Sequence, residues 1–223
     1  MSLLPSYTHI INPKLKYIYL SFDTKGELCI KSPKVSQKEI ERILLKKALW
    51  ITKTKEKLSK KKGKALNFEL QNELYFLGKA YPLILVPYEK KYTKLIFNED
   101  TFFLYYSVYD TDIFQKHIDM FYKKEALHYV PKCLNIWAIN MQLTYQKVSF
   151  RKTKRQWGSC SSKNNISFNT LIMKLPKDVI EYIVVHELAH IQHKHHQRSF
   201  WDLVGKTLPH YKTSIQILKN FTI

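Results

Sequence analysis

Along this chain, apolar residues recur at helical spacing in some stretches and fall in short strand-like runs in others, a pattern that predicts mixed helices and strands. Leu15 to Phe22 and Leu28 to Lys31 read as strands around the turn Asp23-Thr24-Lys25-Gly26. Ser36-Gln37-Lys38-Glu39 has capping-box form, and Ile40, Ile43, Leu44, Ala48 and Ile51 continue it as an amphipathic helix toward Lys60. Lys60-Lys61-Lys62-Gly63-Lys64 breaks that helix. Short strands are predicted at Leu66 to Leu70, Glu73 to Leu77, Pro82 to Val86, Lys94 to Phe97 and Phe102 to Ser107. A long helix from about Asp112 to Asn140 carries Phe114, Ile118, Phe121, Tyr122, Ala126 and Tyr129 on one side. Gln142 to Phe150 and Asn165 to Ile172 read as strands flanking a basic Trp-Gly-Ser-Cys loop. Pro176 suits the first turn of a helix that continues through Ile180, Ile183, Val184 and Leu188, and two closing helices follow at Phe200 to Val204 and Ser214 to Phe221. The fold class is α+β: a β-rich region with one amphipathic helix over residues 1–110, then a mainly helical part, 111–223, with a short antiparallel sheet.

The most specific chemistry lies in Val184-Val185-His186-Glu187-Leu188-Ala189-His190. On a helix, His186 and His190 stand one turn apart on one face, so both imidazoles can reach one metal ion. Glu187 then sits beside the metal without ligating it and can act as general base. A catalytic zinc site needs a third protein ligand and leaves the fourth position open. No glutamate follows His190, and Asp202 is the only acid there, so a histidine is the natural third ligand. His193 would lie about 10 Å along the axis from His186, which leaves His195, His196 and His210. The six-residue step from His190 to His196 lets the chain turn back toward the metal.

These residues, with their neighbours, resemble a known family. Arg151 with Lys154, Trp157-Gly158-Ser159-Cys160-Ser161, Asn165-Ile166-Ser167-Phe168-Asn169, Leu175-Pro176, the His186 to His190 motif, His196, Phe200-Trp201, and Pro209 with Tyr211 make the chain similar to the YgjP-like metallopeptidase domain proteins, relatives of the SprT-like and WLM zinc peptidases. Ser32-Pro33 and Trp50-Ile51 extend the likeness toward the N-terminus. Gln156 stands where the family usually has a basic residue, and His195 where an asparagine is common. The resemblance implies a zincin-like second part that binds Zn2+ through His186, His190 and His196, with Glu187 catalytic. For the SprT-like relatives it implies proteolysis of DNA-bound proteins.

Composition adds a second theme. The 37 Lys and Arg against 18 Asp and Glu give a net charge of +19, which attracts polyanions such as nucleic acid. Lys46 to Lys64 holds nine lysines and one acid, and Lys147 to Lys177 holds eight Lys or Arg and none. The 45% apolar content can build a sizeable core. No run approaches the roughly 18 apolar residues of a membrane span, no secretory signal is visible, and three scattered cysteines argue for a reducing compartment, so cytoplasmic residence and no membrane partner are expected.

Weaker expectations complete the reading. Arg151 and Lys154 are candidates to stabilise an oxyanion or grip a peptide carboxylate, and the strand with Asn165, Ser167 and Asn169 is a candidate to hold substrate as an added strand. His210 and Tyr211 are candidate donors to the tetrahedral intermediate, and Asp202 the acid available to orient a ligating histidine. Trp157 reads as core, Cys160 as structural. The leading function is a zinc metallopeptidase acting on peptide or protein. The alternatives are a basic nucleic-acid-binding protein with a structural or vestigial zinc site, and a zinc hydrolase of amides or esters.

Overall fold

The computed structural model describes residues 5–23, 26–60, 66, 68 and 73–223. The strand expected over Leu66 to Leu70 lies largely outside these residues, as do Thr24 and Lys25 of the first turn and most of the lysine-rich breaker. The chain divides into two compact units, Met1–Lys61 and Lys62–Ile223.

The first unit holds strands β1 (Tyr7–Ile11), β2 (Tyr19–Phe22) and β3 (Leu28–Ser32) and helices α1 (Gln37–Lys46) and α2 (Ala48–Ser59). β3 is central, parallel to β1 and antiparallel to β2. Leu28, Ile30, Ile40, Leu44 and Ile51 form its core. The Ser36 side chain accepts from the Glu39 N–H, the cap expected there. The single helix predicted toward Lys60 is interrupted at Lys47, whose backbone leaves the helical region. β1 was not predicted; five residues with mixed exposure carry too weak an alternation.

The second unit begins with a sheet ordered β4-β5-β7-β6, made of β4 (Glu73–Phe76), β5 (Lys79–Pro87), β6 (Lys94–Asn98) and β7 (Thr101–Tyr106). Helix α3 (Thr111–Met141) buries Phe114, Ile118, Tyr122, Ala126, Val130, Leu134 and Ala138, one residue every four, in the core of this unit. Asp110 caps its first turn by accepting from the Asp112 and Ile113 N–H groups. Leu74, Leu83, Phe102 and Leu104 from the sheet share one buried cluster with α3 and the rest of this unit. The second unit therefore begins after Lys61 and not at 111, because Leu74, Leu83, Phe102 and Leu104, from strands expected in the N-terminal region, lie in the same buried cluster as α3.

Strands β8 (Lys147–Arg151), β9 (Gly158–Cys160) and β10 (Asn165–Asn169) form a second sheet ordered β8-β10-β9. It is mixed: β10 runs antiparallel to β9 but parallel to β8, since the chain passes through β9 between the two. The purely antiparallel sheet expected here is thus half right. A 3-10 turn over Thr170–Lys174 leads to α4 (Lys177–Gln192), and α5 (Arg198–Thr207) and α6 (Tyr211–Leu218) close the unit.

α4 is enclosed: Val179, Ile180, Tyr182 to Val185 and Glu187 to Ala189 are all buried. Its entry is fixed from two sides. Leu77 and Gly78 donate their N–H groups to the Met173 and Lys174 carbonyls at 2.8 and 3.1 Å. Gly78 has φ +87 and lies so near Pro176 that a Cβ would stand 2.6 Å from its Cγ. The turn between β4 and β5 thus seats the start of the histidine helix. No described helix is long and apolar enough to cross a membrane.

Candidate metal centre

His186 and His190 lie one turn apart on α4, as their spacing dictates, and His196 returns to them from the loop between α4 and α5. One ring nitrogen from each falls within 4.8 Å of the other two. The Nε2 atoms of His186 and His196 are 3.1 Å apart. A tetrahedral ion with bonds of about 2.05 Å holds its ligand atoms about 3.3 Å apart, so this spacing fits a shared metal.

The surroundings keep the nitrogens available. Burial, reinforced by the neighbouring histidines, pushes the His186 pKa down to about 3, so this imidazole is neutral and has a free lone pair. Burial also lowers the pKa of His190. His190 Nδ1 donates to the His193 carbonyl at 2.9 Å, which leaves Nε2 as the lone-pair nitrogen. His186 Nδ1 stands 3.3 Å from the Tyr182 hydroxyl. Trp201 Nε1 donates to the His196 carbonyl at 3.1 Å and its ring stacks on the His196 imidazole. Phe200, fully buried, lies under all three histidine rings with centroids 4.7 to 4.9 Å away.

Glu187 is 5% exposed, and its Oε2 has no hydrogen-bond partner among the described residues. Burial raises its pKa to about 8. A buried carboxylate with an orphaned oxygen is costly unless a cation or a proton donor completes it. Beside three imidazoles, that oxygen is an observation in favour of a divalent ion at this place.

The other predicted residues fare differently. Asn165, Ser167 and Asn169 lie on β10, the central strand, whose backbone pairs on both sides. Ser167 and Asn169 are 6% and 1% exposed. Ser167 Oγ accepts from Arg151 Nε at 2.8 Å, and the Asn169 amide binds Thr153 and Gln156. They build the sheet and its loop, and β10 presents no edge to a substrate; the edges of this sheet are β8 and β9. Arg151 and Lys154 are exposed, and no described contact brings either to the histidines. His195 is exposed and turned toward Gln197, whose N–H it accepts at 3.3 Å, while His210 is exposed at the start of α6. The Tyr211 ring stacks between Trp201 and Tyr182. Asp202 is paired loosely with Arg198 at 3.8 Å and orients no histidine.

Three residues escaped the sequence reading. Tyr182, four positions before His186, shares its helix face; that spacing was visible but looked like part of the apolar run. Gly158 packs directly on Glu187. Lys194 joins the loop of His196 to the turn between β9 and β10.

Two solved structures are similar over part of the chain. The metallopeptidase zymogen of Pyrococcus abyssi abylysin is 23% identical, covers 42% of this chain and 99% of its own, and has a TM-score of 0.37. The metallopeptidase zymogen of Methanocaldococcus jannaschii jannalysin is 18% identical, covers 39% and 93%, and has a TM-score of 0.34. No curated protein matches the sequence. The family model described as YgjP-like, metallopeptidase domain, matches residues 16–221, nearly the whole chain including every residue of the histidine centre, and this chain belongs to that family.

Proposed function

We propose that this chain is a zinc-dependent metallopeptidase in which His186, His190 and His196 hold the ion and Glu187 is the general base. The family implies a divalent metal, and three nitrogen donors suit zinc. The observation that carries the reading is the orphaned Glu187 carboxylate on the residue directly after the first ligand. When bound, zinc supplies Lewis acidity that polarises a scissile carbonyl and makes water acidic near neutral pH. Glu187 accepts the proton of the attacking water and passes it to the leaving amine. Its desolvated setting favours proton uptake, and the absence of a protein partner leaves Oε2 free to receive it.

The substrate backbone is best accommodated by β9. Asn169 N–H donates to the Trp157 carbonyl and Ser161 N–H to the Asn165 carbonyl, at 2.8 and 2.9 Å. In an antiparallel pair the alternation then turns the backbone groups of Gly158 and Cys160 toward the other edge, beside Glu187. An extended peptide can pair there as an added strand.

The test is Glu187→Gln. Zinc content should stay at one per chain while hydrolysis of a protein digest falls about 10²- to 10⁴-fold. An unchanged rate would sink the assignment. The same digest set against small amides and esters distinguishes a peptidase from another zinc hydrolase.

A second activity is supported by the charge. Lys53, Lys55, Lys57 and Lys60 are exposed on or just after α2, with Glu56 the one acid among them. Binding of duplex DNA through such a surface should weaken steeply from about 50 to 200 mM salt. A salt-independent affinity would remove this reading without touching the first.

A further inference from the structure

His196 is the one member of the histidine group that does not sit on α4, so its place depends on the loop that carries it. Successive residues of that loop are anchored. His193 gives its carbonyl to His190, His195 Nδ1 accepts from the Gln197 N–H, and the His196 carbonyl accepts from Trp201. Lys194 reaches in the opposite direction. Its ammonium donates to Asn164 Oδ1 at 2.7 Å and to the Ser161 carbonyl at 2.9 Å, and lies 3.6 Å from Cys160 Sγ. An ammonium has three N–H donors, and here each has a protein acceptor. An exposed lysine ordinarily keeps its head group in water, because ordering the long side chain costs conformational entropy.

The receiving turn is itself rigid. Asn164 holds φ +57, a left-handed conformation that asparagine tolerates, and its N–H donates to the Ser161 carbonyl. The Ser161 N–H donates to the Asn165 carbonyl, and Ser161 Oγ accepts from the Asn165 N–H. The same turn ends β9, the strand whose Gly158 rests against Glu187.

We propose that Lys194 is a positioning residue for the metal centre: by clamping the His196 loop to the β9–β10 turn, it preorganises the third ligand and couples it to the strand that seats Glu187. The proposal rests on the histidine centre being the zinc site. A loop ligand that must be ordered when the ion arrives weakens binding; one that is already held does not. Outer contacts of this kind are worth about 10- to 100-fold in metal affinity.

The test measures zinc affinity by competition with a chromophoric chelator, together with thermal unfolding of the metal-free protein. Lys194→Met should bind zinc about tenfold more weakly while the metal-free protein unfolds at the wild-type temperature. Asn164→Gly keeps the left-handed backbone, removes Oδ1, and should lose a similar factor; it also serves if Lys194→Met does not fold. Because both variants open one clamp, the double variant should be no weaker than the worse single one. Wild-type affinity in Lys194→Met, losses that multiply in the double variant, or a metal-free protein destabilised in step with the lost affinity would each overturn the clamp. Wild-type protein that binds no zinc would overturn the site itself, whereas wild type that binds zinc without cleaving peptides would overturn only the peptidase reading.

Discussion

A Cβ built on Gly158 would stand 2.6 Å from Glu187 Oε1 and 2.7 Å from its Cγ, so the strand and the carboxylate side chain are in direct contact along the length of the latter. The φ of Gly158 lies outside the left-handed region, so what this glycine provides is room. Gly158→Ala should therefore displace Glu187 without touching the histidines. We expect peptide hydrolysis to fall at least about 100-fold, as for loss of a general base, while zinc content stays at the wild-type level. A variant with wild-type turnover would show that Glu187 can move aside and still work.

Tyr182 sets the tautomer of His186. For His186 Nε2 to offer a lone pair, Nδ1 must carry the hydrogen and donate it to the Tyr182 oxygen 3.3 Å away. Burial pushes the phenol pKa up to about 12, so this oxygen is a neutral acceptor at every working pH. Tyr182→Phe leaves a buried N–H without a partner. Zinc affinity should drop about tenfold, and hydrolysis at saturating zinc should change little.

Asn169 should prove structural. Its Nδ2 lies 2.9 Å from both the Thr153 carbonyl and Oγ1 and 3.2 Å from the Gln156 carbonyl, and its Oδ1 accepts from the Leu171 N–H at 3.0 Å. Removing a buried group with this many partners strands several of them. Asn169→Ala should cost about 2 to 4 kcal/mol in denaturant unfolding, with the KM of the remaining folded enzyme unchanged. A raised KM with unaltered stability would restore it to the substrate site.

Lys174 offers a pH test remote from the histidines. Burial, with some repulsion from Lys152, lowers its pKa from 10.5 to about 8. Between those values the unfolded chain holds more protons than the folded one, so this residue makes stability rise with pH across the window. Below pH 8 both states are charged and the full burial penalty applies. Lys174→Met should thus be more stable than wild type at pH 7, by about 3 kcal/mol, with the advantage shrinking toward pH 10. Ionisation of Cys133 or Tyr182 in the unfolded chain occurs in both proteins and cancels from the difference. An advantage independent of pH would show that the lysine is not desolvated.

What was legible in the sequence is what the chain encodes locally. His186, Glu187 and His190 share a helix whose spacing alone sets their geometry, and α3 announced itself by a buried residue every fourth position. His196 needed the resemblance, since elimination left three histidines open. Strand order was not legible. The run Asn165 to Asn169 looked like a strand beside the metal helix, but only the pairing of β10 with β8 on one side and β9 on the other made it central and left the edges to those two strands. Gly158 read as a turn glycine because the requirement it meets lies 29 positions away at Glu187. Asp202 was the only acid after His190, yet one turn of helix directs it to Arg198 instead.

The three histidines fall within eleven consecutive residues, while the support of Glu187 comes from a separate strand. His186 and His190 are set by one helix alone, whereas the loop of His196 and the side chain of Glu187 both lean on the β9–β10 hairpin. One short hairpin thus backs both the nitrogen that the helix does not supply and the carboxylate beside it. Loss of that hairpin would therefore disturb His196 and Glu187 together while leaving His186 and His190 in their helical places.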